Sequence, residues 1–351
     1  MHQHKKLFGI YHQTLILQTG TELRNSFSMI KKKILITGAY GFVGTNLSNA
    51  LKEKHVLWAL DIAEKPDTAY SRYFSWNDLD VLPWDDVDTI IHLAGKAHDT
   101  KNKSEAQTYF DINTGLTQKI FDYFLQSAAK QFLFFSSVKA AADSVDGEYL
   151  TEEIIPYPVG PYGESKIAAE QYLNSQFVIR NSQFKNVYIL RPCMIHGPGN
   201  KGNLNLLYNV VSKGIPWPLG AFENKRSFMN IWNLSYLIEQ FIEKSPESGV
   251  YHLADDAPLS TNELIELIAS SRNKKARIWR LNKKLISGLA RLGTICKLPL
   301  NTERLQKLTE NYVVSNQKVK TALGIQALPV GVREGMQKTL IQFSTEFNYE
   351  L

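Results

Sequence analysis

The sequence predicts an α/β protein in which helices cover both faces of a doubly wound parallel sheet, with a smaller C-terminal lobe. Short, continuously apolar runs alternate with segments of helical spacing, a pattern typical of parallel strands buried on both faces. Over residues 197–230 this alternation gives way to a stretch rich in glycine, proline and asparagine. With 351 residues and 44% apolar composition, the chain is long enough for one large core and an attached lobe.

The predicted elements follow one another as strand, turn and helix. Residues 33–37 form the first strand and residues 41–51 the first helix, in which Phe42, Leu47 and Leu51 have helical spacing. The later elements are strands at 55–60, 89–94, 132–135, 187–190 and 250–253 and helices at 109–125 and 163–177. We therefore expect a first domain over residues 30–200 and a lobe that takes mainly residues 201–351, with about 228–254 returning to the first domain's sheet.

Apart from its N-terminal segment, the chain is nearly neutral. The formal net charge is +6, but residues 1–33 carry six basic residues against Glu22 alone and leave +1 for the rest. A basic face for nucleic acid is therefore not indicated. Residues 1–29 lack the apolar region of a signal peptide and are expected to be a disordered extension, with Met29 as an alternative start.

Cysteine content and hydropathy indicate the compartment. The two cysteines, Cys193 and Cys296, provide no disulfide framework, which favours a cytoplasmic protein. No apolar run is long enough to predict a membrane-spanning helix.

A glycine-rich turn joins the first strand to the first helix. Gly38, Gly41 and Gly44 have the spacing G-x-x-G-x-x-G, which lets a backbone and a helix N-terminus approach a pyrophosphate. The second strand ends at Asp61, 23 residues beyond Gly38, where a carboxylate can bind the ribose hydroxyls of an adenosine. The pattern predicts a Rossmann-type dinucleotide site and favours NAD over NADP, because a carboxylate repels a 2′-phosphate. The alternative is a structural turn with a capping aspartate.

A tyrosine and a lysine stand four residues apart at a predicted helix start. Tyr162 and Lys166 then project from one face, where a fixed ammonium is expected to lower the pKa of the phenol and make it a better base. Ser137 follows the strand at 132–135 and can hydrogen-bond the same substrate oxygen, with Ser136 as the less favoured neighbour. The order of glycine turn, serine and Tyr-Lys pair favours catalysis over the alternative, a solvated helix start.

Taken together, these motifs resemble the extended short-chain dehydrogenase/reductase family, and within it the UDP-glucose 4-epimerase-like NAD-dependent epimerases and dehydratases. The resemblance runs from about Lys33 to the C-terminus. It also includes His92-Leu93-Ala94-Gly95, Asn113, Leu190-Arg191-Pro192, Gly197-Pro198-Gly199, Arg226-Ser227-Phe228 and Leu323-Gly324.

The resemblance implies a role for each matching residue. It places Ser137, Tyr162 and Lys166 in catalysis. It places at NAD the residues Gly38, Tyr40, Gly41, Phe42, Val43, Gly44, Asp61, Asp78, Leu79, Ala94, Gly95, Lys166, Pro192 and Cys193. It places at the sugar nucleotide the residues Ser137, Asn203, Arg226 and Arg304.

Two departures from the family pattern bear on the substrate. Met194 stands where many epimerases have an asparagine, so one contact to the nucleotide sugar is missing. Val138-Lys139-Ala140 follows Ser137 where dehydratases carry an Asp-Glu pair, which disfavours dehydration.

These observations predict a UDP-hexose or UDP-N-acetylhexosamine 4-epimerase that acts through a 4-keto sugar. The alternatives are an NAD(P)H-dependent 4-ketoreductase of a UDP-4-keto-6-deoxy sugar and a non-catalytic dinucleotide-binding subunit. The family resemblance implies a homodimer and a place in polysaccharide biosynthesis. No metal site is expected, because His92, His98 and His196 lack ligand spacing. The basic residues of 272–284 around Trp279 are typical of a solvated helix face, with contact to an anionic membrane as the alternative.

Overall fold

A computed structural model describes residues 31–62, 65, 68–97, 105–179, 184–200, 202–296 and 301–348. The predicted N-terminal extension and His98 lie outside these residues. All elements below belong to the unit Lys33–Leu351.

A seven-stranded parallel sheet forms the centre of this unit. Its strands are β1 (Lys33–Thr37), β2 (Val56–Asp61), β3 (Arg72–Ser75), β4 (Thr89–His92), β5 (Gln131–Phe135), β6 (Asn186–Pro192) and β9 (Gly249–Leu253). They lie in the order β3-β2-β1-β4-β5-β6-β9. A separate parallel pair consists of β7 (Met194–His196) and β8 (Phe228–Asn230).

Both faces of the sheet are buried, as the apolar runs predict. In β1, Ile34 and Ile36 point into one hydrophobic cluster while Leu35 lies in another on the opposite face, and all three have no exposed surface. Alternate residues of a strand face opposite sides, so a strand covered on both sides is apolar throughout. The fold is the predicted Rossmann-type α/β fold.

Helices connect the strands and build the C-terminal part. They are α1 (Phe42–Leu51), α2 (Ala106–Tyr109), α3 (Leu116–Gln126), α4 (Val138–Ala141), α5 (Pro161–Ile179), α6 (Asn203–Ser212), α7 (Ile231–Lys244), α8 (Thr261–Ser271), α9 (Lys283–Ile295), α10 (Thr302–Thr309), α11 (Gln317–Leu323) and α12 (Val332–Asn348). Within the described residues, no helix is long and apolar enough to cross a bilayer.

The sheet contains the topological switch point at which open α/β proteins bind ligands. The chain runs from β1 outward to β2 and β3, then crosses back to β4 on the other side of β1. Connections therefore leave the carboxyl ends of β1 and β4 in opposite directions and open a crevice between them. The glycine turn follows β1, and Ala94 and Gly95 follow β4, so both predicted segments lie at this crevice.

Three local features differ from the sequence prediction. β3 is a short edge strand with no apolar run, and the sequence analysis did not find it. The strand predicted at 89–94 ends at His92. The helix predicted at 109–125 is interrupted by a π-helical turn, Phe110–Gly115, between α2 and α3. Such turns insert an extra residue and often accompany functional sites.

Candidate active site

The glycine turn holds α1 against the ends of β1 and β4. Gly38 has φ +67°, and a Cβ there would lie 2.8 Å from the Ala94 nitrogen. A Cβ on Gly44 would lie 2.4 Å from the Ala39 carbonyl oxygen. Neither position accepts a side chain, because backbone atoms cannot move aside as flexible side chains can.

The first turn of α1 presents backbone N–H groups at this point. Gly41 is the N-cap and supplies no side-chain cap, so the first-turn N–H groups of Phe42, Val43 and Gly44 have neither a capping side chain nor an intrahelical acceptor. Such a helix start attracts phosphate through its N–H groups and its dipole. Phe42 and Val43 thus face the predicted site through their backbone.

Asp61 connects the end of β2 to the glycine turn. Its Oδ2 accepts a hydrogen bond from the Tyr40 N–H at 2.8 Å, and its Oδ1 accepts one from the Ile62 N–H at 2.7 Å. A carboxylate has about four lone-pair sites, so these bonds leave capacity for ribose hydroxyls. Asp61 therefore does cap a backbone N–H group of the glycine turn, as the structural alternative expects. This role is compatible with binding of the ribose.

Asp78 and Leu79 lie in the turn after β3, which pairs with β2 so that Ser75 is opposite Asp61. Asp78 Oδ2 accepts hydrogen bonds from the backbone N–H and the hydroxyl of Ser75, both at 2.7 Å, and these bonds lower the pKa of Asp78. The Leu79 side chain is 2% exposed and packs in the core. The Leu79 carbonyl accepts a hydrogen bond from Trp84 Nε1 at 2.7 Å, so this residue is enclosed and bonded within the protein.

A buried chain of hydrogen bonds fixes the segment after β4. The Ala94 N–H donates to Thr37 Oγ1 at 3.1 Å, Thr37 Oγ1 lies 2.7 Å from His92 Nδ1, and His92 Nε2 lies 3.0 Å from Thr117 Oγ1. Because the Thr117 hydroxyl donates its proton to the Asn113 carbonyl, His92 must donate from Nε2 and accept at Nδ1. Burial, aided by the charge of Lys166, lowers the pKa of His92 to about 3 and keeps the ring neutral. His92 thus has a structural role.

Gly95 lies against two polar groups of the neighbouring helices. A Cβ at Gly95 would be 2.9 Å from Asn113 Oδ1 and 3.1 Å from Lys166 Nζ. Asn113, in the π-helical turn, accepts from the Lys96 N–H at 2.7 Å and donates to Ser165 Oγ at 3.0 Å. This amide therefore connects the segment after β4 to the start of α5.

Ser137 and Tyr162 are hydrogen-bonded to each other. Ser137 is the N-cap of α4, accepts from the Lys139 N–H at 3.2 Å and is 8% exposed. Its hydrogen bond to the Tyr162 phenol lowers the phenol's pKa, but burial raises that pKa by more, and the net shift is upward. The expectation that the pKa of this phenol is lowered is wrong, because burial disfavours the phenolate.

Lys166 projects from the same helix into a buried environment. Its Nζ donates to the Phe135 carbonyl at 2.8 Å, and burial lowers its pKa to about 8, while the charge of Glu170 opposes this shift. The lysine with a pKa of about 8 is therefore mostly charged at pH 7 and loses its proton as the pH rises through 8. Its position beside Gly95 places it at the crevice.

A buried ion pair lies one helical turn after this lysine, and the charge of its glutamate acts on the lysine pKa. Glu170, one turn after Lys166 on α5, accepts from Arg191 Nε at 2.9 Å, from Arg191 Nη2 at 2.5 Å and from the Ser136 hydroxyl. Glu170 is 1% and Arg191 3% exposed. The sequence analysis noted Arg191 only within a motif and missed Glu170. Its spacing of four residues from Lys166 was the available signal.

Pro192 and Cys193 lie at the carboxyl end of β6. Both are buried, and burial raises the pKa of the Cys193 thiol, which therefore stays protonated. The Cys193 N–H donates to the Leu253 carbonyl at 2.9 Å. Met194, which opens β7, is 39% exposed.

The predicted sugar-nucleotide contacts lie on three other elements. Asn203 is exposed at the first position of α6. Arg226 donates from Nη2 to the Lys307 carbonyl and lies 3.5 Å from Glu310, while its buried Nε has no hydrogen-bond partner among the described residues. Arg304 is exposed in the first turn of α10, the helix that also carries Lys307. Arg226 and α10 are thus neighbours.

Tyr312, which the sequence analysis did not single out, connects the Arg226 segment to the Ser137 segment. Its backbone accepts from the Ser227 N–H at 2.9 Å, and its hydroxyl donates to the carbonyls of Val138 and Ala142 in and after α4. The contact joins residues more than 160 positions apart, so no local sequence pattern announces it.

Comparison with known proteins identifies the family. The model of the NAD dependent epimerase/dehydratase family matches residues 34–254. The chain belongs to this family. NAD is the cofactor of the family, and the glycine cradle, the free helix start and Asp61 fit a dinucleotide.

Individual members of the epimerase/dehydratase family cover most of the chain. A UDP-glucose 4-epimerase from Vibrio cholerae is 31% identical over 89% of this chain and 95% of its own length. A dTDP-4-dehydro-6-deoxyglucose reductase from Escherichia coli is 25% identical over 71% of this chain and 84% of its own. The crystal structure of UDP-N-acetylglucosamine 4-epimerase from Bacillus cereus matches with a TM-score of 0.70 at 18% identity, covering 90% of this chain and 100% of that one. At that identity, the structural likeness supports the fold alone.

Proposed function

We propose that the chain is an NAD-dependent 4-epimerase of a UDP-hexose or UDP-N-acetylhexosamine, with Ser137, Tyr162 and Lys166 as its catalytic residues. The observation that carries this proposal is the hydrogen bond between the Ser137 hydroxyl and the Tyr162 phenol, at the crevice where Lys166 lies against Gly95. The similarity to the Vibrio cholerae UDP-glucose 4-epimerase favours a UDP-sugar as substrate.

Tyr162 is the residue that transfers the proton of the sugar hydroxyl. The Tyr162 phenolate accepts the proton of the 4-hydroxyl, and the phenol so formed later returns it, while Ser137 donates a hydrogen bond to the same oxygen as it gains carbonyl character. NAD supplies the reversible hydride acceptor for the sugar carbon. Because burial raises the pKa of Tyr162, deprotonation depends on positive charge brought close to the phenol, and the Lys166 ammonium is the chain's own source of it.

Cofactor placement follows from the backbone at the crevice. We assign the pyrophosphate to the glycine turn and the start of α1, the adenosine ribose to Asp61, and the adenine to Asp78 and the backbone of Leu79. Ala94, Gly95, Pro192 and Cys193 line the remaining wall, and Lys166 holds the nicotinamide ribose. Apart from Lys166, which lies on α5, these residues are the last ones of strands β1 to β6 or come after them.

The unsatisfied Arg226 nitrogen supports an anionic substrate. A buried guanidinium donor without a partner costs free energy unless a ligand accepts from it. The diphosphate of a sugar nucleotide supplies such an acceptor in a geometry that suits the planar arginine fork. Asn203 and Arg304 complete this proposed subsite.

A direct assay separates the epimerase from its nearest alternative. The purified chain is incubated with UDP-glucose and UDP-N-acetylglucosamine without added reductant, and the 4-epimers are measured by chromatography. We expect conversion of at least one sugar. Turnover only with a UDP-4-keto-6-deoxy sugar plus NADH or NADPH would replace the proposal by the 4-ketoreductase, the activity class of the Escherichia coli relative. No turnover in either assay, with NAD still bound, would favour a non-catalytic dinucleotide-binding subunit.

The remaining assignments belong to the same proposal. We assign the dinucleotide domain to residues 30–200 and the substrate lobe mainly to residues 201–351. We expect a cytoplasmic homodimer that acts in polysaccharide biosynthesis. Analytical ultracentrifugation tests the dimer, since a monomer at assay concentration would contradict it.

A further inference from the structure

Helix α9 exposes a row of large apolar side chains next to a buried one. Ile286, Ala290 and Gly293 are buried, and the first two pack with Leu219 and Leu305. Leu285, Leu289 and Leu292 are 58%, 49% and 58% exposed, and Ile295 is 77% exposed. Their spacing of four and three residues aligns the leucines on one side of the helix. The inner row thus fixes the helix while the outer row remains uncovered in the described structure.

The segment before α9 adds two more exposed apolar side chains in a fixed position. Trp279 is 55% and Leu281 37% exposed. The backbone here is held by hydrogen bonds from the Trp279 N–H to the Trp217 carbonyl and from the Trp217 N–H to the Arg277 carbonyl, both 2.8 Å. The tryptophan is therefore held at the surface rather than folded into a core.

The chain segment that carries this apolar row is rich in basic residues. Residues 267–302 contain no aspartate or glutamate. Among the described residues of this range, the exposed cations are Lys274, Lys275, Arg277, Arg280, Lys283, Lys284 and Arg291. Among the residues that the structure describes, none of the seven forms an ion pair with a carboxylate. The positive charge of this surface is therefore not neutralised by carboxylates of the described residues, and an anionic partner would neutralise it.

The exposed leucines and the cations together favour one kind of binding partner for this surface. A second copy packed by two-fold symmetry would place the same cations opposite each other, and like charges across an interface are unfavourable. A nucleic acid would satisfy the cations but not a row of leucines. An anionic bilayer satisfies both, since leucines and tryptophan insert at the headgroup boundary while lysines and arginines contact phosphates.

We propose that the α9 face, made of Trp279, Leu281, Leu285, Leu289, Leu292 and Ile295 with the seven cations, docks on the surface of an anionic phospholipid bilayer. This inference is independent of the proposed activity. Docking holds the lobe that carries Trp217 and Leu219 at the membrane surface without a membrane-spanning helix.

Vesicle cosedimentation of the full-length chain tests the docking. We expect binding to vesicles of phosphatidylcholine with phosphatidylglycerol, weaker binding at high salt, and little binding to phosphatidylcholine alone. The variant Leu285→Ser/Leu289→Ser/Leu292→Ser should weaken binding by about 100-fold, roughly five-fold for each leucine. The variant Lys283→Glu/Lys284→Glu should weaken it by at least about ten-fold.

Two matched controls remove the same chemistry from other surfaces. Val178→Ser/Phe184→Ser removes apolar side chains that are 76% and 83% exposed, and Lys119→Glu/Lys130→Glu makes the same change in net charge. Both controls should bind like the parent. Circular dichroism is used to check that all four variants are folded.

Tryptophan fluorescence gives a second, local measurement. Anionic vesicles should shift the emission of the parent to the blue, and Trp279→Phe should remove most of that shift. Docking is refuted if the parent stays in the supernatant with anionic vesicles, or if the α9 variants bind like their controls. Two other results without vesicle binding would also refute docking. In one, the α9 face mediates a dimer that the leucine variant dissociates; in the other, the α9 face binds an oligonucleotide duplex.

Discussion

Replacing Glu170 by glutamine tests whether the buried ion pair beneath Lys166 supports the site. Both carboxylate oxygens accept from Arg191, and one also accepts from Ser136. In either orientation, the new amide NH₂ faces an arginine N–H, and the arginine charge loses its counter-ion at 3% exposure. Breaking a buried pair in this way costs about 3–5 kcal/mol. We expect Tm to fall by about 4–8 °C, since the entropy of unfolding of a chain of this length is about 0.7 kcal/mol per kelvin.

The same substitution should also change the pH dependence of activity. The charge of Glu170 raises the pKa of Lys166, against the larger effect of burial, which brings that pKa to about 8. Activity that needs the ammonium is present below this pKa and is lost as the pH rises through it. Without the Glu170 charge, the alkaline limb of kcat/KM should move to lower pH.

Calorimetry and pH–rate profiles measure these two effects, with Glu164→Gln as the matched control. Glu164 is exposed on the same helix, so its replacement should change the stability by no more than about 0.5 kcal/mol and leave the pH profile in place. The reasoning fails if Glu170→Gln is as stable as this control and its alkaline limb does not move.

Three further substitutions test the crevice. Lys166→Met should stabilise the fold by about 2 kcal/mol at neutral pH, because burial of the ammonium lowers its pKa from 10.5 to about 8. This burial destabilises the fold fully below pH 8, and the destabilisation disappears as the pH rises towards 10.5. Denaturant unfolding in neutral and alkaline buffer measures the difference, and an equal gain in stability in both buffers would contradict it. Gly44→Ala should lower the content of bound NAD in the purified protein, since its Cβ would lie 2.4 Å from a backbone oxygen. Gly288→Ala, whose Cβ would have no atom within 4 Å, should leave the NAD content unchanged. Equal NAD content in the two variants would exclude a role for the glycine turn in NAD binding. Asp61→Asn removes the charge and keeps an acceptor for the Tyr40 N–H, but its amide NH₂ then replaces the acceptor of the Ile62 N–H. Calorimetric titration should show NADP gaining on NAD by about ten-fold. An unchanged ratio of the two Kd values would refute the ribose assignment.

The sequence predicted the parts of this site that depend on local pattern. The strand at 33–37, the glycine turn and Asp61 all lie where spacing placed them, since each follows from a strand period, a backbone requirement or a strand end. Ser137 and Tyr162 meet as expected because β5 ends, and α5 begins, at the same edge of the sheet.

What the sequence missed depends on distant contacts. The π-helical turn around Asn113 is tied to Lys96 and Ser165, 17 and 52 residues away. The raised pKa of Tyr162 depends on burial, which a Tyr-x-x-x-Lys spacing does not encode. β3 was missed because Arg72–Ser75 is a short edge strand without the apolar run that marks the central strands.

In the proposed reaction, Tyr162 carries the substrate proton while the sugar carbon gives up its hydride. We test this step by mixing the NAD-loaded enzyme with excess UDP-sugar in a stopped-flow instrument and following NADH absorbance during the first turnover. For Tyr162→Phe we predict a rate of reduction lower by about 10²–10⁴-fold, with binding of the UDP-sugar retained. Reduction at the rate of the parent enzyme would contradict the account.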